Sequence, residues 1–177
     1  MELQWLTAPV MVTPDIRTAL TTCWRDVSNA GGAVGFPFPP VEEEDVRLAV
    51  EAMAESLDPD LNGLLVATVN GQLAGWLLLT GNRTRLTRHW AKVLRVQTAL
   101  PHRGTGVGAG LMEEVARAAR QDYGLEALLL EVRGGMGLEG FYQRCGWRVV
   151  GRWPGVLRMA PGDDRDEVMM LLDLVDD

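Results

Sequence analysis

The segment Leu100-Pro101-His102-Arg103-Gly104-Thr105-Gly106-Val107-Gly108-Ala109-Gly110 has the composition of an anion-binding loop. It falls between a β-rich run and a long helical pattern, where successive backbone N–H groups and the positive end of a helix dipole favour negative charge. Glycines at 104, 106 and 108 let the main chain approach a diphosphate closely, because a Cβ there would hold the oxygens away. A glycine-rich turn that merely packs would have the same composition. The nucleotide P-loop does not fit, since no Lys-Ser or Lys-Thr follows the glycines. A Rossmann turn does not fit either, because the preceding strand belongs to a meander.

Three other groups have proton chemistry. Tyr142, within Phe141-Tyr142-Gln143-Arg144-Cys145-Gly146-Trp147, shares a helical stripe with Leu138, Phe141 and Cys145, so it is either a phenol in a site or a core residue. Glu131 alternates with Leu130 and Val132; if those two face a covered core, the carboxylate projects to the opposite face. There it would relay a proton or pair with Arg95 or Arg133 across the strand surface. His89 offers an imidazole, the side chain best suited to proton transfer near neutral pH, although a lone histidine beside a polar loop is commonly solvated. Cys23 and Cys145 are too isolated for a disulfide framework or a zinc site, and no metal is expected.

The elements that position these groups follow from periodicity. Glu2 to Thr7 reads as a short strand, and Thr13-Pro14 as the cap and first turn of a helix whose stripe is Ile16, Leu20, Cys23, Trp24 and Val27. After an irregular loop from Ser28 to Pro40, the acidic run Glu42 to Asp45 opens a second helix, with Val46, Val50, Met53 and Leu57 turned inward. Gly63 to Val69 and Gln72 to Thr80 flank Asn70-Gly71, a strong hairpin signal. Trp90 to Thr98 is the next strand, and a helix follows from Gly106 to Tyr123 with Val107, Leu111 and Val115 buried. A strand from Ala127 to Val132, a short helix from Leu138 to Cys145, and strands from Trp147 to Trp153 and Glu167 to Leu174 complete the order βααβββαβαββ. The run Leu128-Leu129-Leu130 predicts a strand buried on both faces of a mixed sheet, so the class is α/β or α+β.

At 177 residues, with 47% hydrophobic and 23% charged, the chain reads as a single globular domain over 1–177. A net charge of −7 argues against a nucleic-acid partner. The tail from Asp163 to Asp177 has seven carboxylates against Arg165 and reads as a solvated edge. Neither a signal-peptide profile nor a membrane-length apolar run is present, which predicts a cytoplasmic protein without a membrane partner. A homodimer stays open. Most of the tryptophans, among them Trp24, Trp76 and Trp147, read as core anchors.

Arg103-Gly104-Thr105-Gly106-Val107-Gly108 resembles the Arg/Gln-x-x-Gly-x-Gly/Ala loop of the GCN5-related N-acetyltransferases (GNAT), and Phe141-Tyr142-Gln143-Arg144-Cys145-Gly146-Trp147 resembles that family's Phe-Tyr-x-x-x-Gly-Phe signature. Gly31-Gly32-Ala33-Val34-Gly35-Phe36 and Arg152-Trp153-Pro154-Gly155 are further similar to the tabtoxin-resistance subgroup. The resemblance implies a mixed, mostly antiparallel seven-stranded sheet with its fourth and fifth strands splayed and four helices on its two faces. It implies acetyl-CoA as co-substrate, with the pyrophosphate on Arg103, Gly104, Thr105, Gly106, Val107, Gly108 and Ala109, and pantetheine held by backbone N–H groups near Thr98 and Leu100, which would also polarise the thioester carbonyl. His102 would support this loop. Tyr142 would be the acid that protonates the departing sulfur.

By the same resemblance, Glu131 stands where relatives carry an acidic residue and would act as base, while Lys92 replaces a second acid and weakens a two-carboxylate scheme. Phe36, His89 and Trp90 would contact the acceptor. The implied activity is direct acetyl transfer to the primary amine of a small molecule, such as a toxin, antibiotic or amino-acid-like metabolite. A peptide or protein acceptor and a non-catalytic CoA-binding domain are the alternatives. The loops Ser28 to Pro40 and Gly81 to Arg88 would narrow the acceptor groove and favour a small molecule.

Overall fold

The computed structural model describes residues 1–32, 35–36 and 39–175. Ala33 and Val34, within the subgroup-like segment, and Asp176 and Asp177, in the acidic tail, lie outside the described residues. Among the described residues, four α-helices flank a seven-stranded sheet. The strands are β1 (Glu2–Leu6), β2 (Asn62–Val69), β3 (Gln72–Thr80), β4 (Trp90–Thr98), β5 (Ala127–Arg133), β6 (Arg148–Ala160) and β7 (Asp163–Asp173). Their spatial order is β1-β2-β3-β4-β5-β7-β6, antiparallel throughout except for the parallel pair β4–β5.

Local chemistry accounts for most of the boundaries. Helix α1 (Pro14–Asn29) is capped by the Thr13 side chain, which accepts from the Ile16 amide at 3.4 Å. Helix α2 (Glu43–Glu55) begins with Glu43, Glu44 and Asp45 against its N-terminal dipole. The β2–β3 turn has Asn70 and Gly71 at φ 52° and 75°, as a type I′ hairpin requires. Helix α3 (Val107–Gln121) starts directly from Gly106, and α4 (Leu138–Arg144) from Gly137.

Two cores lie on opposite faces of the sheet. One joins Val107, Leu111, Met112 and Val115 of α3 and Tyr142 of α4 to Leu77, Leu79, Ala91, Val93, Leu128, Leu130, Val168 and Met170. The other joins Leu20, Trp24 and Val27 of α1 and Val46, Val50 and Met53 of α2 to Leu6, Leu64, Val66, Trp76 and Leu78. Its strand residues come from β1 to β4 only, so α1 and α2 leave that face of β5 and β7 without a helix. The expectation that Leu128-Leu129-Leu130 is buried on both faces is corrected here: Leu128 and Leu130 are 0% and 2% exposed, whereas Leu129 and Glu131 alternate with them as half-buried residues on the uncovered face.

The acidic tail is solvated as expected at Asp163, Asp164, Asp166 and Asp173, but its expected place at an edge is corrected: Asp163–Asp173 is β7, an interior strand between β5 and β6. Its acids pair with arginines along the hairpin: Arg158 Nε donates to Asp164 at 2.8 Å, Arg152 Nη1 to Asp166 at 3.3 Å, and Arg165 to Asp163. The two closing strands are thus longer than their apolar stretches. Among the described residues no helix is long and apolar enough to cross a membrane.

Candidate active site

Strands β4 and β5 pair only at Trp90↔Ala127, Ala91↔Leu128 and Lys92↔Leu129. Beyond Lys92 they part, and a cavity of about 800 Å³ opens between Val93 to Thr98 on one wall and Leu130 to Arg133 on the other. A register shift in the β3–β4 ladder between Trp76 and Leu78 gives β4 one extra residue, and Arg95 sits there at φ 57°. Such a bulge bends a strand and increases its twist, turning β4 away from its parallel neighbour.

At one end the cavity is walled by His102, Arg103, Gly104, Gly106, Gly108 and Ala109. Gly104 and Gly106 adopt φ 75° and 90°, and a Cβ at either would project into open space. The first helical amide with an internal acceptor is that of Gly110, which donates to the Gly106 carbonyl at 3.0 Å. Among the described residues, the N–H groups of Gly104, Gly106, Val107, Gly108 and Ala109 have no protein acceptor, and α3 has no side-chain cap. Arg103 has no acidic partner among the described residues. Five free amides, a helix N-terminus and an unpaired guanidinium fit a diphosphate. Gly108 is needed for packing, since a Cβ there would lie 3.2 Å from Phe141 Cζ and 3.4 Å from Thr98 Oγ1.

Tyr142 lines the cavity and is 7% exposed, edge-on to Phe141 and Trp147 with centroids 5.0 and 6.3 Å away. Its hydroxyl makes no hydrogen bond among the described residues. Burial raises its pKa far above the usual phenol value, so the side chain stays protonated. Across the cavity, Glu131 projects to the uncovered face and accepts from Lys92 Nζ at 2.8 Å. Its partner is therefore neither Arg95 nor Arg133.

Glu167 was missed in the sequence. It lies on β7 opposite Arg133 and diagonal to Glu131, whose partner is Met169. It lines the cavity without an ion pair among the described residues. Desolvation first, and the charge of Glu131 second, raise its pKa above the usual carboxylate range, with Lys92 opposing. The signal for it was present but masked: Glu167 follows an acidic run read as a solvated edge, and only the insertion of β7 beside β5 brings it to Glu131.

Of the residues expected to bind cofactor, Thr98, Arg103, Gly104, Gly106, Gly108 and Ala109 line the cavity, and Leu100, Thr105 and Val107 do not. Leu100 begins a 3₁₀ turn with its side chain 39% exposed, the Thr105 hydroxyl donates to the His102 carbonyl at 2.7 Å, and the Val107 side chain is core. Of the acceptor residues, Phe36 lines the cavity, packed on Trp24 at 5.3 Å. His89 and Trp90 do not, because they stand at the closed end, where Trp90 still pairs with Ala127 and the His89 carbonyl accepts from the Glu126 amide. Gly32, Gly35 and Phe36 of the first loop reach the cavity, whereas no residue of the loop from Gly81 to Arg88 does.

Comparison with known proteins identifies the family and the fold. The family model for the acetyltransferase (GNAT) family matches residues 15–147. A GNAT-family acetyltransferase from Streptococcus pneumoniae superposes with a TM-score of 0.73 at 21% identity, covering 96% of this chain and 98% of its own. A ribosomal-protein-alanine N-acetyltransferase from Brucella melitensis gives 0.76 at 20%, covering 98% and 99%. An aminoglycoside 6'-N-acetyltransferase complexed with coenzyme A gives 0.76 at 12%, covering 100% and 99%. At these identities the likeness establishes the fold. A search of curated proteins finds no match.

Proposed function

The chain belongs to the acetyltransferase (GNAT) family, and on that premise we propose that it moves an acetyl group from acetyl-CoA directly to the primary amine of a small molecule. The observation that carries this reading is one cavity lined by the amide nest, by Tyr142 and by the carboxylates Glu131 and Glu167. Acetyl-CoA supplies the acyl group in activated form, as a thioester. The free amides of Gly104 and of Gly106 to Ala109, with Arg103, hold the diphosphate.

Tyr142 keeps its proton at working pH and donates it toward the departing sulfur. Because a phenolate would be costly in this buried position, Tyr142 contributes mainly a strong hydrogen bond to the departing thiolate, which takes its proton from solvent. An alkylammonium has a pKa of roughly 10 and must lose its proton before attack. Glu167 accepts that proton, directly or through water. Glu131 favours this transfer, since its charge raises the proton affinity of Glu167. Lys92 fixes Glu131 in place. His89 does not line the cavity and stands next to the paired end of β4 and β5, which disfavours it as base.

The first loop, through Gly32, Gly35 and Phe36, encloses the acceptor end and favours a small molecule over a peptide. The deciding experiment measures thiol release from acetyl-CoA over a panel of small primary amines and lysine-containing peptides, with products identified by mass. Turnover confined to peptides would overturn the small-molecule reading. Absence of turnover with every amine, together with retained CoA binding, would leave only a CoA-binding domain.

A further inference from the structure

The acceptor end of the cavity contains two polar side chains that the transfer chemistry does not use. Gln97 is 2% exposed, lines the cavity, and has neither Oε1 nor Nε2 in a hydrogen bond. Buried amides are almost always hydrogen-bonded, so an orphan on a cavity wall points to a ligand group. Two residues earlier, Arg95 lines the same cavity, with no acidic partner among the described residues. Its guanidinium stacks over Trp24, 5.4 Å from the ring centroid, and is fixed there. A Cβ on Gly35, itself at φ 94°, would meet Arg95 Nη1 at 1.4 Å, so that glycine gives the guanidinium its space.

Both side chains share one face. Val96 packs into the α3-side core, so its neighbours Arg95 and Gln97 turn toward α1, where Val27 and Phe36 complete the wall. The bulge makes this possible: Leu94 also packs on the α1 side, and regular alternation would have sent Arg95 to the other face.

We propose that Arg95 and Gln97 form an anion-recognition subsite, so that the physiological acceptor is a small amine that also carries a carboxylate. The planar fork of the guanidinium matches a carboxylate in two parallel hydrogen bonds, and Gln97 Nε2 supplies a further donor. Gln97 Oε1 is left to accept from a donor elsewhere on the same ligand. The cation and the two glutamates stand on opposite walls of the slot, so an acceptor anchored by its anion at β4 presents its amine toward β5 and β7. This inference rests on the small-molecule transferase reading and sharpens it.

The test compares α- and ω-amino acids with their carboxamides and with carboxylate-free amines as acetyl acceptors, in the unsubstituted 177-residue chain and in Arg95→Met, Arg95→Lys and Gln97→Leu. The free acid should exceed its carboxamide in kcat/KM by about 10- to 100-fold, the range for a hydrogen bond to a charged group. Arg95→Met should abolish that preference while leaving the carboxamide rate and the KM for acetyl-CoA unchanged. Arg95→Lys should recover part of it, since it keeps the charge and loses the fork. Gln97→Leu should raise KM for the acid. If Gln97→Leu instead weakens acetyl-CoA and spares the acceptor, Gln97 belongs to the pantetheine path and the subsite as drawn is wrong. Acetylation of carboxylate-free amines alone, or an acid preference that survives Arg95→Met, would overturn the inference and leave the transferase reading intact. No acetylation of any amine would overturn both.

Discussion

Replacing Gly106 by alanine separates the cost of a strained backbone from the loss of an anion site. Gly106 has φ 90° and a Cβ there would meet no protein atom within 4 Å. The internal cost is therefore conformational only, about 1–2 kcal/mol for a non-glycine residue in the left-handed region. For a domain of this size that lowers Tm by about 2–8 °C and leaves the fold populated. The effect on ligand binding should be larger. The new methyl projects into the space in front of the amide nest, and hydrogen bonds to a charged group are worth about 1.5–3 kcal/mol each. Losing two of them weakens CoA by about 10²- to 10⁴-fold. Gly71 provides the matched control: it has φ 75°, an equally open Cβ position, and a place in the β2–β3 turn remote from the cavity. Gly71→Ala should lose comparable Tm and no CoA affinity. Calorimetric titration with CoA and a thermal melt on both variants decide the matter. If Gly106→Ala binds CoA as Gly71→Ala does, the loop is not the diphosphate site.

Three further expectations concern the proton steps. Tyr142→Phe should lose about 10²-fold in kcat with little change in CoA affinity, and full activity would make Tyr142 a packing residue. Glu167 has a raised pKa, so its acid limb in kcat/KM lies above that of an ordinary glutamate, and activity climbs as pH rises through it. Glu131→Gln removes the repelling charge and should move that limb to lower pH; Lys92→Met removes the attracting one and should move it higher. A limb that stays put in both variants would place the base elsewhere. In the folded protein a raised carboxylate is penalised only when ionised, so Glu167→Gln should lose turnover while holding or gaining Tm at neutral pH, with no gain once the wild-type group is protonated. A fall in Tm with activity intact would make Glu167 a structural residue.

Element order and type were legible because each is signalled locally. Thr13-Pro14, Asn70-Gly71 and the glycines before Val107 fix ends and turns through their own backbone preferences, and these lie where expected. What local signals miss is what a neighbouring element supplies. Leu128-Leu129-Leu130 reads as doubly buried because apolar identity does not reveal that α1 and α2 stop at β4. Asp163 to Asp166 reads as an edge because the arginines that pair with it, Arg152 and Arg158, come from the neighbouring strand of the hairpin.

The site divides along the same line. The amide nest is main-chain chemistry, and main-chain chemistry is written in glycine spacing, so Arg103 to Ala109 could be nominated from sequence, and all but Thr105 and Val107 line the cavity. The face of Glu131 was legible because strand alternation assigns it without reference to any other strand. Glu167 and Arg95 depend on two irregularities that carry no such local mark: the crossover that inserts β7 between β5 and β6, and the extra residue in β4. The second has a double effect. Besides helping to part β4 from β5, the bulge aims Arg95 across Trp24 toward the acceptor end, so the feature that opens the slot also sets a charge beside it. Removing that extra residue would restore regular alternation, send the residue at 95 to the α3-side core, and extend pairing with β5 past Lys92. Entry of the cofactor and recognition of the acceptor would then be lost together, which is the coupling expected if one backbone irregularity serves both.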